Sequence, residues 1–310
     1  PRLWKLMYEV SDRRNMAEKP VRGIAPVERL LERLLREWKP DAVVCTYMVY
    51  PYMLDSLASC TGRAVPYLTV VTDSFVINKS WLCSKSPLWA VTDPWTRAIM
   101  EEKGLPQDRL RVTGFPVNPV LGALAKEHPL SWKEGEPFRV LYFAQRSARH
   151  ARAELAGMLD ANPALHVTCI LGRRFRRIYP RIRDLRARYG RRLTVRGWTR
   201  RVPSYLAASH VVVGKAGGAT VHEVLAAARP MLVNFLLPGQ EEGNTRLLEK
   251  LGGGGHVPDV RALASALQEM MADGGAQWRR MHENLLRAGM TGGSGRIADL
   301  ALKLAEEHTN

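Results

Sequence analysis

The stretch VVVGKAGGATVHEVLAAARPMLVNFLLPGQEEGN, residues 211–244, decides how this chain folds and what it holds. The apolar run at 211–213 predicts a short buried strand. A glycine turn follows, carrying Lys215, Gly217 and Gly218, and then a helix opening near Ala219. A second strand is predicted over 231–235, and residues 239–244 read as a polar loop. Glycine lets a backbone approach a ligand closely, and a helix N-terminus offers free N–H groups and a partial positive charge. Together they predict an anion site suited to a diphosphate. Glu223 lies one helical turn beyond Thr220, where a carboxylate reaches ribose hydroxyls. The expectation is a nucleotide-sugar site in the C-terminal half.

The same rhythm extends in both directions. Before this stretch, strands are predicted over 140–144, 165–171 and 193–196. A helix is expected over 152–159, an arginine-rich helix up to Tyr189, and a short helix over 203–208. After it come helices near 245–251, over 261–272, 278–288 and 296–307. The glycine run 252–255 reads as a helix-ending turn and loop. The first half shows strands over 42–47, 67–72, 88–92 and 109–113, a helix over 27–38, and Asp93 as the cap of a helix through Lys103. Residues 115–137 hold several prolines and no periodicity, which predicts a linker. Alternating strands and helices imply parallel sheets covered on both faces, with a ligand at the carboxyl ends of the strands.

Length and composition agree. A chain of 310 residues favours two domains of roughly 150 residues each. A hydrophobic content of 46% supports ordinary globular cores. No apolar run approaches the roughly 20 residues of a membrane span, and no secretory signal is visible. The four cysteines, Cys45, Cys60, Cys83 and Cys169, form no CxxC pair and predict buried free thiols in a reducing compartment. There is no GxxxxGK[ST] motif, which disfavours a P-loop ATPase.

The net charge of +16 is concentrated. Thirteen arginines stand between Arg173 and Arg201 against one acid, Asp184. Three readings apply: a solvated helix face, an anionic membrane surface, or nucleic acid. No zinc finger, RNA-binding signature or aromatic platform accompanies the charge, so nucleic acid is not favoured. Trp81, Leu82, Leu88 and Trp89 cluster near a loop, and interfacial tryptophan is a membrane-surface device. Met48, Tyr52 and Met53 read either as core or as an apolar lipid groove.

Taken together, KAGGAT at 215–220, Glu223, Arg229–Pro230 and GQEEGN at 239–244 are far more specific than a lone glycine pair. The combination resembles the monogalactosyldiacylglycerol synthase and processive diacylglycerol glucosyltransferase family, relatives of the lipid I N-acetylglucosaminyltransferase. TVVTDSFVINKSW at 69–81 resembles the family's TD segment, and VTGFP at 112–116 its turn before the linker. The resemblance runs from about residue 40 to about residue 257.

It implies an α/β fold of two Rossmann-like domains facing a cleft, the GT-B type, with the first domain N-terminally truncated. The implied domains are an incomplete acceptor-side domain over 1–116, a linker over 117–137, a donor domain over 138–292, and a C-terminal helix over 293–310 packing back towards the first domain. The implied reaction moves a hexose from a UDP-hexose to a lipid hydroxyl of diacylglycerol type, with no required metal or cofactor. Gly217, Gly218, Ala219 and Thr220 would hold the diphosphate and Glu223 the ribose. Gln240, Glu241 and Asn244 would contact the sugar, and Trp198, with Phe175, the uracil. Asp73 matches the acid of the TD motif and is the catalytic candidate; a turn cap is its other reading. The implied location is cytoplasmic, peripheral on the inner face of the cell membrane, with the arginines between Arg173 and Arg201 on anionic lipid.

The chain departs from the family in three places. The family's opening glycine-rich loop with its histidine, the acceptor-binding base, is not in this chain. Asn78 stands where the family has a histidine before the tryptophan. The loop after the 140–143 strand reads Ala144, Gln145, Arg146, Ser147 in place of glycines; Arg146 can reach a phosphate, but close backbone approach is lost. Two alternatives therefore stay open: a degenerate or truncated relative that binds UDP and membrane without transfer, and a family member with a polyprenyl-linked acceptor.

Overall fold

A computed structural model of the chain describes residues 25–127 and 130–309. These form two compact units. The first comprises Pro1–Pro116, Leu237–Gly243 and Gly292–Asn310, of which residues 1–24 and 310 lie outside the described residues. The second comprises Val117–Leu236 and Asn244–Thr291.

In the first unit, four parallel strands stand side by side in chain order: β1 (Val43–Cys45), β2 (Tyr67–Val70), β3 (Leu88–Val91) and β4 (Leu110–Val112). Helices α1 (Ala25–Trp38), α2 (Val49–Thr61) and α3 (Pro94–Glu102) connect with them. β2 is buried along its whole length, as a strand covered on both faces must be. One cover is a cluster of Val71, Ile77, Trp81, Trp89, Val91 and Met100. The other is the last helix of the chain, α12 (Gly293–Thr309), whose Ile297, Leu300, Ala301 and Leu304 recur at helical spacing and pack on Leu68, Val70 and Ala90. Asp93 caps α3 as the sequence predicts: its Oδ1 accepts from the Thr96 N–H at 2.8 Å, with Pro94 at the first helical position.

Trp81 and Trp89 are buried in this core, with their indole N–H groups donating to Asp73 and to the Trp81 carbonyl. The expectation of an interfacial tryptophan pair is corrected here: buried tryptophan keeps its polar edge satisfied from within. Met53 is likewise core.

The second unit holds six parallel strands in the order β10–β9–β8–β5–β6–β7. They are β5 (Phe138–Phe143), β6 (Leu165–Ile170), β7 (Leu193–Arg196), β8 (Val211–Lys215), β9 (Met231–Phe235) and β10 (Gly254–His256). Counted within the unit this is the doubly wound 3-2-1-4-5-6 order. Helices α5 (Ala148–Ala161) and α11 (Val260–Ala288) pack against each other, and the core runs from Phe138 through Leu155 and Val213 to Trp278. α11 is broken at residues 272–275, where Asp273, Gly274 and Gly275 take positive φ.

Several local expectations change. A helix, α4 (Val120–Glu127), occupies part of the segment read as a linker, and residues 128–129 lie outside the described residues. The arginine-rich segment is not one helix: Pro180 interrupts it, leaving α6 (Phe175–Ile178) and α7 (Arg183–Tyr189) joined by 3-10 turns, with α8 (Val202–Ala208) following β7. The glycine run does more than end a helix. Gly252 turns the chain at φ 62°, and then β10 pairs in parallel with β9. A Cβ on Gly254 would sit 1.8 Å from the Met231 carbonyl, so only glycine lets these backbones meet. All four cysteines are free, but Cys60 is exposed, against the expectation of burial.

Candidate functional site

In a doubly wound sheet, the connections from the first and fourth strands leave in opposite directions, and a crevice opens at their carboxyl ends. Here those strands are β5 and β8. β8 is buried to Gly214, with a register shift against β9 at Gly214–Lys215. The chain then turns through Ala216 and Gly217 into α9 (Gly218–Ala226). Val221, Val224 and Leu225 anchor α9 to the core. Its first intrahelical bond runs from the Val221 N–H to the Gly217 carbonyl at 2.9 Å, so the N–H groups of residues 218–220 precede the ladder.

Gly217 has ordinary extended geometry, φ −68° and ψ 140°, and gives α9 no side-chain cap. A Cβ built on it meets no atom within 4 Å. Neither conformation nor packing requires glycine at this position. What glycine leaves is space in front of the helix N-terminus. Gly218, Ala219 and Thr220 form the first turn, and Glu223 stands one turn on, half-buried, its pKa raised by burial. The neighbouring His222 is fully buried, and burial lowers its pKa to about 3, so it is a neutral core histidine.

The GQEEGN residues do not form the loop that the sequence suggested. They open a helix, α10 (Gln240–Lys250), with Glu241 and Glu242 in its first turn, where acids complement the helix dipole. Glu241 is buried and its Oε2 accepts from the Leu237 N–H at 2.6 Å. The Gln240 side-chain amide donates to Asp73 Oδ1. A Cβ on Gly243 would lie 1.9 Å from the Ser74 carbonyl. Asn244 is fully buried; its amide donates to the Ala216 carbonyl at 3.0 Å, while its Oδ1 has no hydrogen-bond partner.

Asp73 follows β2 and is buried, with Oδ2 accepting from the Trp81 indole at 2.7 Å and Oδ1 from Gln240. Burial raises its pKa; the two hydrogen bonds oppose that rise. Asn78 caps the short turn that carries Trp81, accepting from the Ser80 N–H at 2.9 Å. Trp198 lies beyond β7, the outer strand, and is 59% exposed, with the Arg200 guanidinium over its ring at 5.6 Å. Phe175 stacks on Tyr179 and lies against Gly197. Phe175 follows β6 and Trp198 follows β7, the first and second strands out from β5 on that side of the sheet.

Twelve of the thirteen arginines from Arg173 to Arg201 are exposed, Arg192 being half-buried against carbonyls of Leu165 and Asn162. Arg149, Arg152, Arg177 and Arg181 line an open cavity of about 580 Å³ beside the start of α5. Arg152 is paired to Asp184 by two hydrogen bonds of 2.6 Å. The sequence reading did not place Glu154 in the core, on the buried side of α5. Only the spacing of its apolar neighbours Ala151, Leu155 and Met158 could have placed it inside.

Two parallel α/β sheets, the second doubly wound with an open helix N-terminus at its switch point, define the fold class of the GT-B glycosyltransferases. Comparison with known proteins narrows this. Residues 1–117 match the sequence model of the family described as monogalactosyldiacylglycerol (MGDG) synthase. A processive diacylglycerol beta-glucosyltransferase of Staphylococcus carnosus (strain TM300) is 25% identical over 80% of this chain, and the chain spans 63% of that relative's length. Among solved structures, Acinetobacter baumannii MurG aligns with a TM-score of 0.63 at 15% identity, covering 87% of this chain and 76% of MurG. The UDP-GlcNAc 2-epimerase of Neisseria meningitidis, bound to UDP-GlcNAc, aligns at 0.66 with 14% identity, covering 92% and 83%. The chain is thus similar to lipid glycosyltransferases in sequence and to the GT-B group in fold, as the motif resemblance implied.

Proposed function

We propose that this chain binds a UDP-hexose at the β8–α9 turn and serves hexose transfer to a lipid hydroxyl of diacylglycerol type. The observation that carries the reading is the empty space before α9 at Gly217, kept open by a glycine that the fold itself does not need. The diphosphate fits that space, where backbone N–H groups and the helix dipole stabilise the charge of departing UDP. Glu223 takes the ribose hydroxyls. The unpartnered, buried Asn244 Oδ1 is an acceptor that a sugar hydroxyl would satisfy. The uracil lies towards Trp198 and Phe175.

On the acceptor side, Asp73 is the candidate base. Burial moves its pKa upward, the direction a carboxylate needs to accept a proton near neutral pH. The acceptor class comes from the Staphylococcus carnosus relative, whose name specifies diacylglycerol. The exposed arginines fit a peripheral position on anionic lipid, and among the described residues no helix is long and apolar enough to cross a membrane.

Titration of the full chain with UDP tests the donor reading. Saturable binding is expected, weakened roughly tenfold by Glu223→Ala, as the loss of a charge-assisted hydrogen bond requires. Absence of saturation, or a variant that binds like the parent chain, would reject it. Mass spectrometry of lipid extract incubated with the chain and UDP-hexoses then identifies the acceptor.

A further inference from the structure

The second sheet contains a buried carboxylate that the donor reading leaves unused. Glu154 Oε2 accepts from the Tyr142 hydroxyl and from the Asn234 amide at 2.9 Å, and Oε1 faces Arg146 Nη1 at 3.4 Å. Burying a carboxylate costs several kcal/mol unless hydrogen bonds and a countercharge offset it. A leucine at this position of α5 would fill the core without that cost. Tyr142, completely buried, has its pKa pushed well up by burial and by the Glu154 charge, so it stays a proton donor to Glu154.

The partners span the switch point. Tyr142 is on β5 and Asn234 on β9, the two neighbours of β8. Arg146 follows β5, yet its guanidinium carbon lies 5.5 Å from the ring centroid of Phe235, at the end of β9. Between β5 and β9 lies β8, the strand that leads into the turn to Gly217. Glu154 is the one hydrogen-bond partner of the Arg146 guanidinium among the described residues, leaving donors of its fork for a ligand. The loop that carries it, residues 144–147, contains no glycine and so brings no close backbone approach.

We propose that Arg146 is the side-chain ligand of the diphosphate, and that Glu154, fixed by Tyr142 and Asn234, is the positioning residue that aims it. This rests on the donor-site reading above. A guanidinium supplies a fixed charge and a planar donor fork matched to phosphate oxygens, and its length makes up for the close backbone approach that the β5 loop lacks. Glu154 holds one nitrogen of the fork and the Phe235 ring supports the other face, so the arginine is set before the ligand arrives.

The test compares UDP with uridine, which lacks the phosphates, on the full chain and on Arg146→Gln, Glu154→Gln and their double variant. The expected result is a loss of UDP affinity of about tenfold or more for Arg146→Gln, a smaller loss for Glu154→Gln, and a double variant no weaker than Arg146→Gln alone. Uridine affinity stays unchanged throughout. Additive losses, equal losses for UDP and uridine, or full UDP affinity in Arg146→Gln would overturn the inference. If Glu154→Gln does not fold, Tyr142→Phe, which keeps the ring and removes one bond to Glu154, takes its place with the same expectation. A parent chain that binds neither ligand overturns the donor reading and this inference with it. Where the parent chain binds UDP, the losses in the variants bear on Arg146 and Glu154 alone.

Discussion

At Gly217, residue chemistry and ligand chemistry separate. Gly254 and Gly243 are glycines because protein backbone stands where a Cβ would be. Gly217 has an allowed φ and open space around its missing Cβ, so the chain alone gives no reason for it. Gly217→Ala should therefore leave stability within about 0.5 kcal/mol of the parent, the range of a harmless substitution. It should still weaken UDP binding, because the methyl occupies the approach to the helix N–H groups. Thermal melting and UDP titration on the same sample check both halves. A variant that melts well below the parent, or that binds UDP equally well, would remove Gly217 from the site. Glu154 makes the complementary point. Sequence alone placed Arg146 near a phosphate but gave no sign of what holds it. An acid among arginines and alanines looks like surface, and only the tertiary contacts of α5, where Tyr142 of β5 and Asn234 of β9 meet the carboxylate, turn it inward.

Among the elements, legibility followed burial. β2 and β8 were readable because a strand covered on both faces must be a continuous apolar run, YLTV and VVV. The start of α10 was not, because GQEEGN carries no apolar periodicity; its helical turn is held by Glu241, by the Gln240–Asp73 bond and by the close fit of Gly243 on Ser74. β10 was missed for the opposite reason. Glycines depress strand propensity, yet here one is required for pairing. Gly254→Ala places a Cβ inside the Met231 carbonyl and should cost about 3 kcal/mol, within the range for backbone strain and a broken ladder. Gly135→Ala, also at positive φ but with nothing within 4 Å, should cost markedly less. Denaturant unfolding of the two variants separates steric contact from backbone preference. Equal losses would mean that the edge strand contributes no more than a turn.

At the scale of the whole molecule the question is where a chain of net charge +16 resides. The interior tryptophans cannot serve as membrane anchors, since Trp81 and Trp89 are core. The exposed arginines then carry the membrane proposal, as an electrostatic mode of association. Arg177 and Arg181 line the open cavity beside α5, and both are exposed. Near an acidic lipid surface each arginine contributes about 1 kcal/mol. Replacing both with glutamine should therefore weaken binding to phosphatidylglycerol-containing vesicles roughly thirtyfold. Raising the salt towards 1 M, where the Debye length falls to about 3 Å, should release the parent chain. UDP affinity should not change in the double variant if the lipid surface and the donor site are separate. Vesicle sedimentation with the full chain measures this directly. Equal binding to uncharged phosphatidylcholine vesicles, or binding insensitive to salt, would show that the arginine surface does not hold the protein to lipid, and the charge would then be only a solvated face.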